Sequence, residues 1–221
     1  MNKLIIASSS DLRKIIVKDN YEKLVDLRNY CSHLVFKIAR YIEKNGGSAA
    51  VEDAHYVRKG VADRLNIAQS SLPKGFKLMI ECAYRSPKMQ QKSYDAVYKK
   101  LQKEHPSWVE KQLEIEMEKR VSPVDIAPHC TGGTIDLTIV NTDNQQLDMG
   151  TSLDEFSEKT YTNSQSISNN AIKNRSLLIK VMTSAGFVNF PAEWWHWSYG
   201  DREWANLQKN KTAIYDLIEK K

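Results

Sequence analysis

The segment Pro128-His-Cys-Thr-Gly-Gly-Thr-Ile-Asp136 constrains this chain more than any other. Thr134 to Val140 reads as a β-strand. Ile135, Leu137 and Ile139 alternate with Thr134, Asp136 and Thr138, so one face is apolar and the other polar. Asp136 projects from the polar face. On an unbroken strand His129, seven residues earlier, would face the opposite side. Gly132-Gly133 interrupts the strand and lets the chain turn, which brings His129 back to the side of Asp136. The glycines also allow backbone to approach a metal or ligand closely.

A second segment, Glu193-Trp-Trp-His-Trp197, carries the other half of the pattern. Pro191 precedes it, and its tryptophans favour extended structure. The expectation is a bend entering a strand, with Glu193 at the bend and His196 inside, unlike the helical His-Glu-x-x-His arrangement. His129, Asp136 and His196 are good zinc ligands. Three protein ligands leave one tetrahedral position open, as in a catalytic zinc site. Glu193 is a spare carboxylate that can take a proton from water. Singly, each residue has an ordinary structural explanation: a hydrogen-bonded His, a solvated Asp, packed Trp rings. The combination points to a metallohydrolase. His33, His55 and His105 lack ligand-like neighbours.

The rest of the chain sets bounds. With 221 residues, it is expected to form one α+β domain over 1–221, with a catalytic core at about 53–204. The sheet is expected to be small and mostly antiparallel, with helices packed around it. The net charge of +5 is dispersed, and the densest run, Lys99 to Arg120, mixes both signs. That is a solvated helix face, so no nucleic-acid partner is expected. No stretch approaches the ~20 apolar residues of a membrane span. Met1 to Ala7 is too short for a signal-peptide core, and three unpaired-looking cysteines suit a reducing compartment. The expected location is cytoplasmic.

Local patterns predict the elements. Residues 24–28 read as a strand or a helix start. Residues 53–70 read as a helix carrying Val57, Val61 and Leu65, and Phe76 to Tyr84 as a strand. Ser86-Pro87 opens a helix that Pro106 ends. Ser107-Trp-Val-Glu110 has capping-box spacing for a helix to about Arg120. Residues 141–168 are polar and read as a long functional loop. A helix is expected at about 169–184, ending near Gly186. A short strand is expected at Phe187 to Phe190, and a closing helix from Trp204 to Lys220.

At these motifs the chain resembles the D-alanyl-D-alanine dipeptidase family of zinc peptidases. That family includes the vancomycin-resistance dipeptidases and is related to D,D-carboxypeptidases and the hedgehog fold. The resemblance runs from about Tyr56 to Trp204. It rests on Tyr84-Arg-Ser-Pro87, His129-x-x-Gly132-x-x-x-Asp136, Met149-Gly-Thr-Ser-Leu-Asp154, Asn174-Arg-Ser-Leu-Leu178 and Glu193-Trp-Trp-His196. It implies a hedgehog/D,D-peptidase-like fold and one zinc per chain on His129, Asp136 and His196. It also implies Glu193 as general base and later acid, Arg85 as oxyanion stabiliser, and Asp154 as the partner of the substrate's ammonium group. The implied substrate is D-alanyl-D-alanine or a similar small dipeptide.

Two positions depart from the family pattern. Ala127 stands where the family has Ser, and Thr134 where it has Ala. Neither removes a ligand, but the lost hydroxyl bears on recognition of the substrate's end. The alternatives are a D,D-carboxypeptidase acting on muropeptides and a non-enzymatic zinc-binding interaction module. The oligomeric state is open.

Overall fold

Thr134–Val140 is the middle strand of a five-stranded sheet in the computed structural model, which describes residues 6–153, 155 and 157–220. The spatial order is Val35–Phe36, Lys77–Cys82, Thr134–Val140, His196–Ser198, Val188–Asn189. The first pair is parallel and the others are antiparallel. This is the mostly antiparallel α+β arrangement expected from the pattern. All seven residues of the middle strand are buried. Ile135, Leu137 and Ile139 join a core with Val61, Leu65 and Ala68 of helix Lys59–Ser70 and with Leu178, Val181 and Met182 of helix Asn169–Ser184. Burying each large aliphatic side chain contributes about 1.5–3 kcal/mol.

The polar face of the middle strand carries the chemistry. Pairing with Lys77–Cys82 shifts register between Ile80 and Cys82, which leaves Glu81 bulged and sets Cys82 opposite Asp136. A bulge of this kind re-aims the side chains beside it. On the other side Asp136 pairs with His196. Near this face run helices Arg40–Asp53 and Pro87–Glu104, whose Ile42 and Met89 pack with Cys82.

Several local signals act as expected. Ser86 Oγ accepts from Met89 N–H at the start of Pro87–Glu104. Ser168 caps Asn169–Ser184, and Gly186 follows with a φ of +90°. Between 141 and 168 the described residues hold one isolated bridge and a short 3-10 turn, Glu158–Thr160. Residues 24–28 turn out to be both alternatives in succession, strand Leu24–Asp26 and then helix Leu27–Tyr30.

Three expected helices need correction. The one at 53–70 begins only at Lys59, because Tyr56–Arg58 pairs with Leu24–Asp26 as a strand. Val57 keeps its place in the apolar stripe by being buried from that strand. The helix opened by Ser107 starts instead at Glu110 and ends at Met117. His105 and Trp108 stack their rings 3.7 Å apart, which holds 105–108 in a turn, and Gln112 Oε1 accepts from Val109 N–H.

The closing helix spans only Arg202–Leu207. Lys209 adopts a left-handed φ of 57°, and Thr212–Ala213 then pairs in parallel with Ile16–Val17. Both Ile214 and Tyr215 donate to the Gly200 carbonyl, and Tyr215 is buried. Tertiary pairing outweighed the helical spacing of the tail's apolar residues.

Two buried guanidiniums fasten irregular backbone around the sheet. Arg58 donates to the carbonyls of Glu22, Thr131 and Asp216, joining both terminal segments to the turn that carries His129. Arg175 donates to the carbonyls of Met149, Lys159 and Tyr161 at 2.7–2.8 Å. Burial draws its pKa down to about 10. The long loop is thus pinned to helix Asn169–Ser184 at three points. Trp194 adds two more ties, from its ring N–H to Thr151 Oγ1 and from its backbone N–H to the Thr160 carbonyl.

Replacing Arg175 with Met removes the donor from the Met149 and Lys159 carbonyls and leaves the Tyr161 carbonyl with Ser164 N–H alone. The expected cost is about 3 kcal/mol in denaturant unfolding, with faster amide exchange at residues 159–161. A loss below about 0.5 kcal/mol, with exchange unchanged, would show that the loop holds itself.

Candidate metal centre

His129 reaches the polar face through a short turn. Pro128–Thr131 is a 3-10 turn, and Gly132 follows it with a φ of +71°. A Cβ on Gly132 would lie 2.5 Å from Leu24 Cδ2, and one on Gly133 would lie 2.6 Å from the Tyr199 carbonyl. Only glycine fits this path at both positions. His196 opens strand His196–Ser198 after a bend at Pro191 to Trp195. Glu193 sits in that bend, as the sequence pattern implied. The local reason is the turn bond from His196 N–H to the Glu193 carbonyl.

The side chains converge. His129 Nε2 lies 3.2 Å from Asp136 Oδ2, and His196 Nδ1 lies 3.1 Å from Asp136 Oδ1. Glu193 Oε2 is 3.6 Å from the same His196 nitrogen. The two imidazole rings stand at 83° with centroids 5.1 Å apart. His129, Asp136 and His196 are 5%, 6% and 7% exposed.

Tautomers follow from the outer partners. The Ala83 carbonyl can only accept, so His129 Nδ1 carries the hydrogen at 2.7 Å and Nε2 has the lone pair. On His196 the Glu203 carboxylate meets Nε2 at 2.9 Å, which leaves the Nδ1 lone pair facing Asp136.

Those lone pairs meet carboxylate oxygens, not donors. Asp136 Oδ1 is buried and has no hydrogen-bond partner, although His196 Nδ1 is close. Acceptors facing each other in this way need a proton or a metal ion between them. Zinc bonds of about 2.0–2.1 Å in a tetrahedron separate neighbouring ligand atoms by roughly 3.3 Å. The observed 3.2 and 3.1 Å match that spacing pair by pair, each to a different Asp136 oxygen. The residues present therefore fit a zinc ion.

The charge balance agrees. Burial opposes protonation of His129, yet the Asp136 carboxylate outweighs it and holds the imidazole up at about 9. His196 is likewise held well above its ordinary value, against burial, by Glu203 and Asp136. Burial alone would raise Asp136, but the two histidines hold it far below the usual carboxylate range. The cluster demands positive charge, supplied by protons or by a metal. Burial pushes the Glu193 carboxyl up to about 7.

Cys82 also approaches this group. Its sulfur, a His129 nitrogen and an Asp136 oxygen lie within 4.8 Å of one another. That sulfur accepts from Arg85 Nη2 at 3.7 Å and lies 3.9 Å from His129 Nδ1, the nitrogen already committed to the Ala83 carbonyl. The atoms grouped within 4.8 Å are those of Cys82, His129 and Asp136, and His196 joins them through Asp136, where its Nδ1 lies 3.1 Å from Oδ1.

Arg85 lies beside the cluster, past the end of strand Lys77–Cys82. It donates to Gln90 Oε1 and to Tyr41 Oη, both at 2.9 Å, and its buried Nε has no partner. Arg85 and the cluster line one cavity of about 720 Å³ that also touches Tyr41, Leu153 and Trp195. Asp154 lies outside the described residues. Tyr41, Cys82 and Glu203 escaped the sequence reading. Glu203 follows the capping Asp201 in the first turn of a helix, where an acidic residue reads simply as favourable to the helix dipole.

Known proteins resemble this chain in sequence and in fold. The peptidase M15 family model, described as D-ala-D-ala dipeptidase, matches residues 24–214. The chain belongs to that family. A D-alanyl-D-alanine dipeptidase of Synechocystis sp. is 34% identical over 115 residues, covering 44% of this chain and 47% of its own. One from Escherichia coli K12 is 41% identical over 68 residues, covering 31% and 35%. The chain thus spans less than half the length of these curated relatives. The solved structure of VanYB in complex with D-Alanine-D-Alanine superposes with a TM-score of 0.50 at 14% identity, covering 94% of this chain and 93% of that one. That likeness concerns the fold, which is the D,D-peptidase type expected from the sequence.

Asp136→Asn keeps the shape and removes the charge between the histidines. Zinc affinity, measured by chelator competition, is expected to fall about 100-fold or more, since ligation needs the carboxylate. An unchanged affinity would remove Asp136 from the ligand set.

Proposed function

We propose that this chain is a zinc-dependent peptidase that hydrolyses D-alanyl-D-alanine or a similar D-amino-acid dipeptide, with one zinc per chain. His129 Nε2, Asp136 and His196 Nδ1 hold the metal. The observation that carries this reading is the pair of 3.2 and 3.1 Å approaches to Asp136, with Glu193 Oε2 3.6 Å from the same His196 nitrogen. When bound, zinc lowers the pKa of its water from ~15.7 to about 7 and polarises the substrate carbonyl.

The chain's own groups do the rest. Glu193 takes a proton from the attacking water and returns it to the leaving amine. Burial raises this carboxyl above its ordinary value, the direction that lets it both take and return a proton. Arg85 is held by Gln90 and Tyr41 beside the cluster, and its guanidinium meets the negative charge that develops on the carbonyl oxygen. Asp154 is assigned to the substrate's free ammonium group on its family motif. The three cysteines are free, which supports action in a reducing compartment, the cytoplasm. No helix among the described residues is long and apolar enough to cross a membrane.

A second reading has one observation in its favour. The cavity of about 720 Å³ runs past the cluster to Ser93, Val97 and Val121, more room than a free dipeptide occupies. A carboxypeptidase acting on longer muropeptides would use that room. Comparing the free dipeptide with its N-acylated form separates the two, because only the dipeptidase requires a free amine.

The deciding test joins zinc content to D-alanine release. Glu193→Gln is expected to retain zinc while kcat drops about 10²–10⁴-fold. Full turnover in that variant would remove Glu193 as base. Zinc binding with no hydrolysis by the unaltered protein, across free and N-acylated D- and L-peptides, would leave a zinc-binding interaction module.

A further inference from the structure

We infer that Glu203 is a positioning residue for the metal centre, fixing His196 in the one tautomer and orientation that present Nδ1 to the cation. The inference rests on the zinc reading above. Glu203 lies in the first turn of helix Arg202–Leu207, which Asp201 caps by accepting from Trp204 N–H. Gly200, with a φ of +80°, reverses the chain between strand His196–Ser198 and this helix. The helix start therefore folds back beneath the strand it has just left.

The carboxylate is committed on that side. Glu203 Oε2 meets His196 Nε2 at 2.9 Å and accepts from Ser198 Oγ at 2.8 Å. Ser198 lies two residues beyond His196, on the same face of the strand. Its oxygen is 2.9 Å from Thr134 Oγ1, which donates to Asp201 Oδ2. Thr134 is the residue that departs from the family's Ala, and here its hydroxyl ties the strand to the cap of the supporting helix. The Glu203 side chain is 12% exposed, so water competes little for these bonds.

Free imidazole exchanges its proton between two nitrogens and rotates. A ligand that must offer Nδ1 is held in that form when Nε2–H has a fixed acceptor. Glu203 supplies the acceptor on the ring edge remote from Asp136, whereas Glu193 lies near Nδ1. The two carboxylates around His196 thus have separate duties, one toward the reacting water and one toward the ligand.

The test measures zinc dissociation constants by chelator competition for the unaltered protein, Glu203→Ala, Glu203→Gln and Ser198→Ala, with the melting temperature of each metal-free form. Glu203→Ala is expected to weaken zinc binding about 10–100-fold. Glu203→Gln keeps an oxygen acceptor for Nε2–H and is expected to recover most of that loss. Ser198→Ala is expected to weaken binding severalfold. A Glu203→Ala affinity within twofold of the unaltered protein would overturn the inference. So would equal losses in the Ala and Gln variants that merely track a lower metal-free melting temperature. If Glu203→Ala does not fold, unchanged affinity in both Glu203→Gln and Ser198→Ala overturns it. An unaltered protein that takes up no zinc would instead defeat the underlying metal reading.

Discussion

Buried negative charge with too few donors is the constraint on which the site depends. Asp136, Glu193 and Glu203 surround two imidazoles whose outer nitrogens are already bonded, and Asp136 Oδ1 has no donor at all. Burial makes an uncompensated carboxylate expensive. A cation where Asp136 faces both imidazoles satisfies the Asp136 oxygens and both lone pairs together. The same burial that creates the demand also raises Glu193 toward neutrality, so one environment both calls for a metal and prepares a base.

The fold meets this constraint by putting its fully buried middle strand under the site. Asp136 is on the central strand, and His196 pairs with it on the next. His129 comes from a turn held by the Arg58 clamp and by the tail bond from Ile218 N–H to the Cys130 carbonyl. The glycines at 132 and 133 make that turn sterically open to the chain. Side chains placed this way keep their geometry without relying on the long loop. Arg175 and Trp194 hold that loop as a separate unit against helix Asn169–Ser184 and the tryptophan bend.

Much of this was legible in the sequence. The alternation of Thr134 to Val140 located the central strand, and the paired glycines explained how His129 returns to the face of Asp136. The bend before His196 followed from Pro191 and the tryptophans. Residues brought in by distant pairing were not legible. Tyr56–Arg58 looked helical because its Val57 matched the spacing of Val61 and Leu65, and only the strand Leu24–Asp26 decides otherwise. The tail from 208 onward had helical apolar spacing, yet it lies extended because Gly200 and Ile16–Val17 offer it bonds. Glu203 is seven residues from His196, a separation that carries no signal until Gly200 reverses the chain. Tyr41 meets the site through its bond from Arg85 and belongs to no motif.

The most direct measurement is X-ray anomalous scattering at the zinc edge from crystals of the zinc-loaded protein. The account predicts one peak, bonded to His129 Nε2, His196 Nδ1 and an Asp136 oxygen, with the Glu193 carboxylate beside it but not bonded. A peak bonded to Cys82 in place of His196, or no peak among these residues, would contradict it.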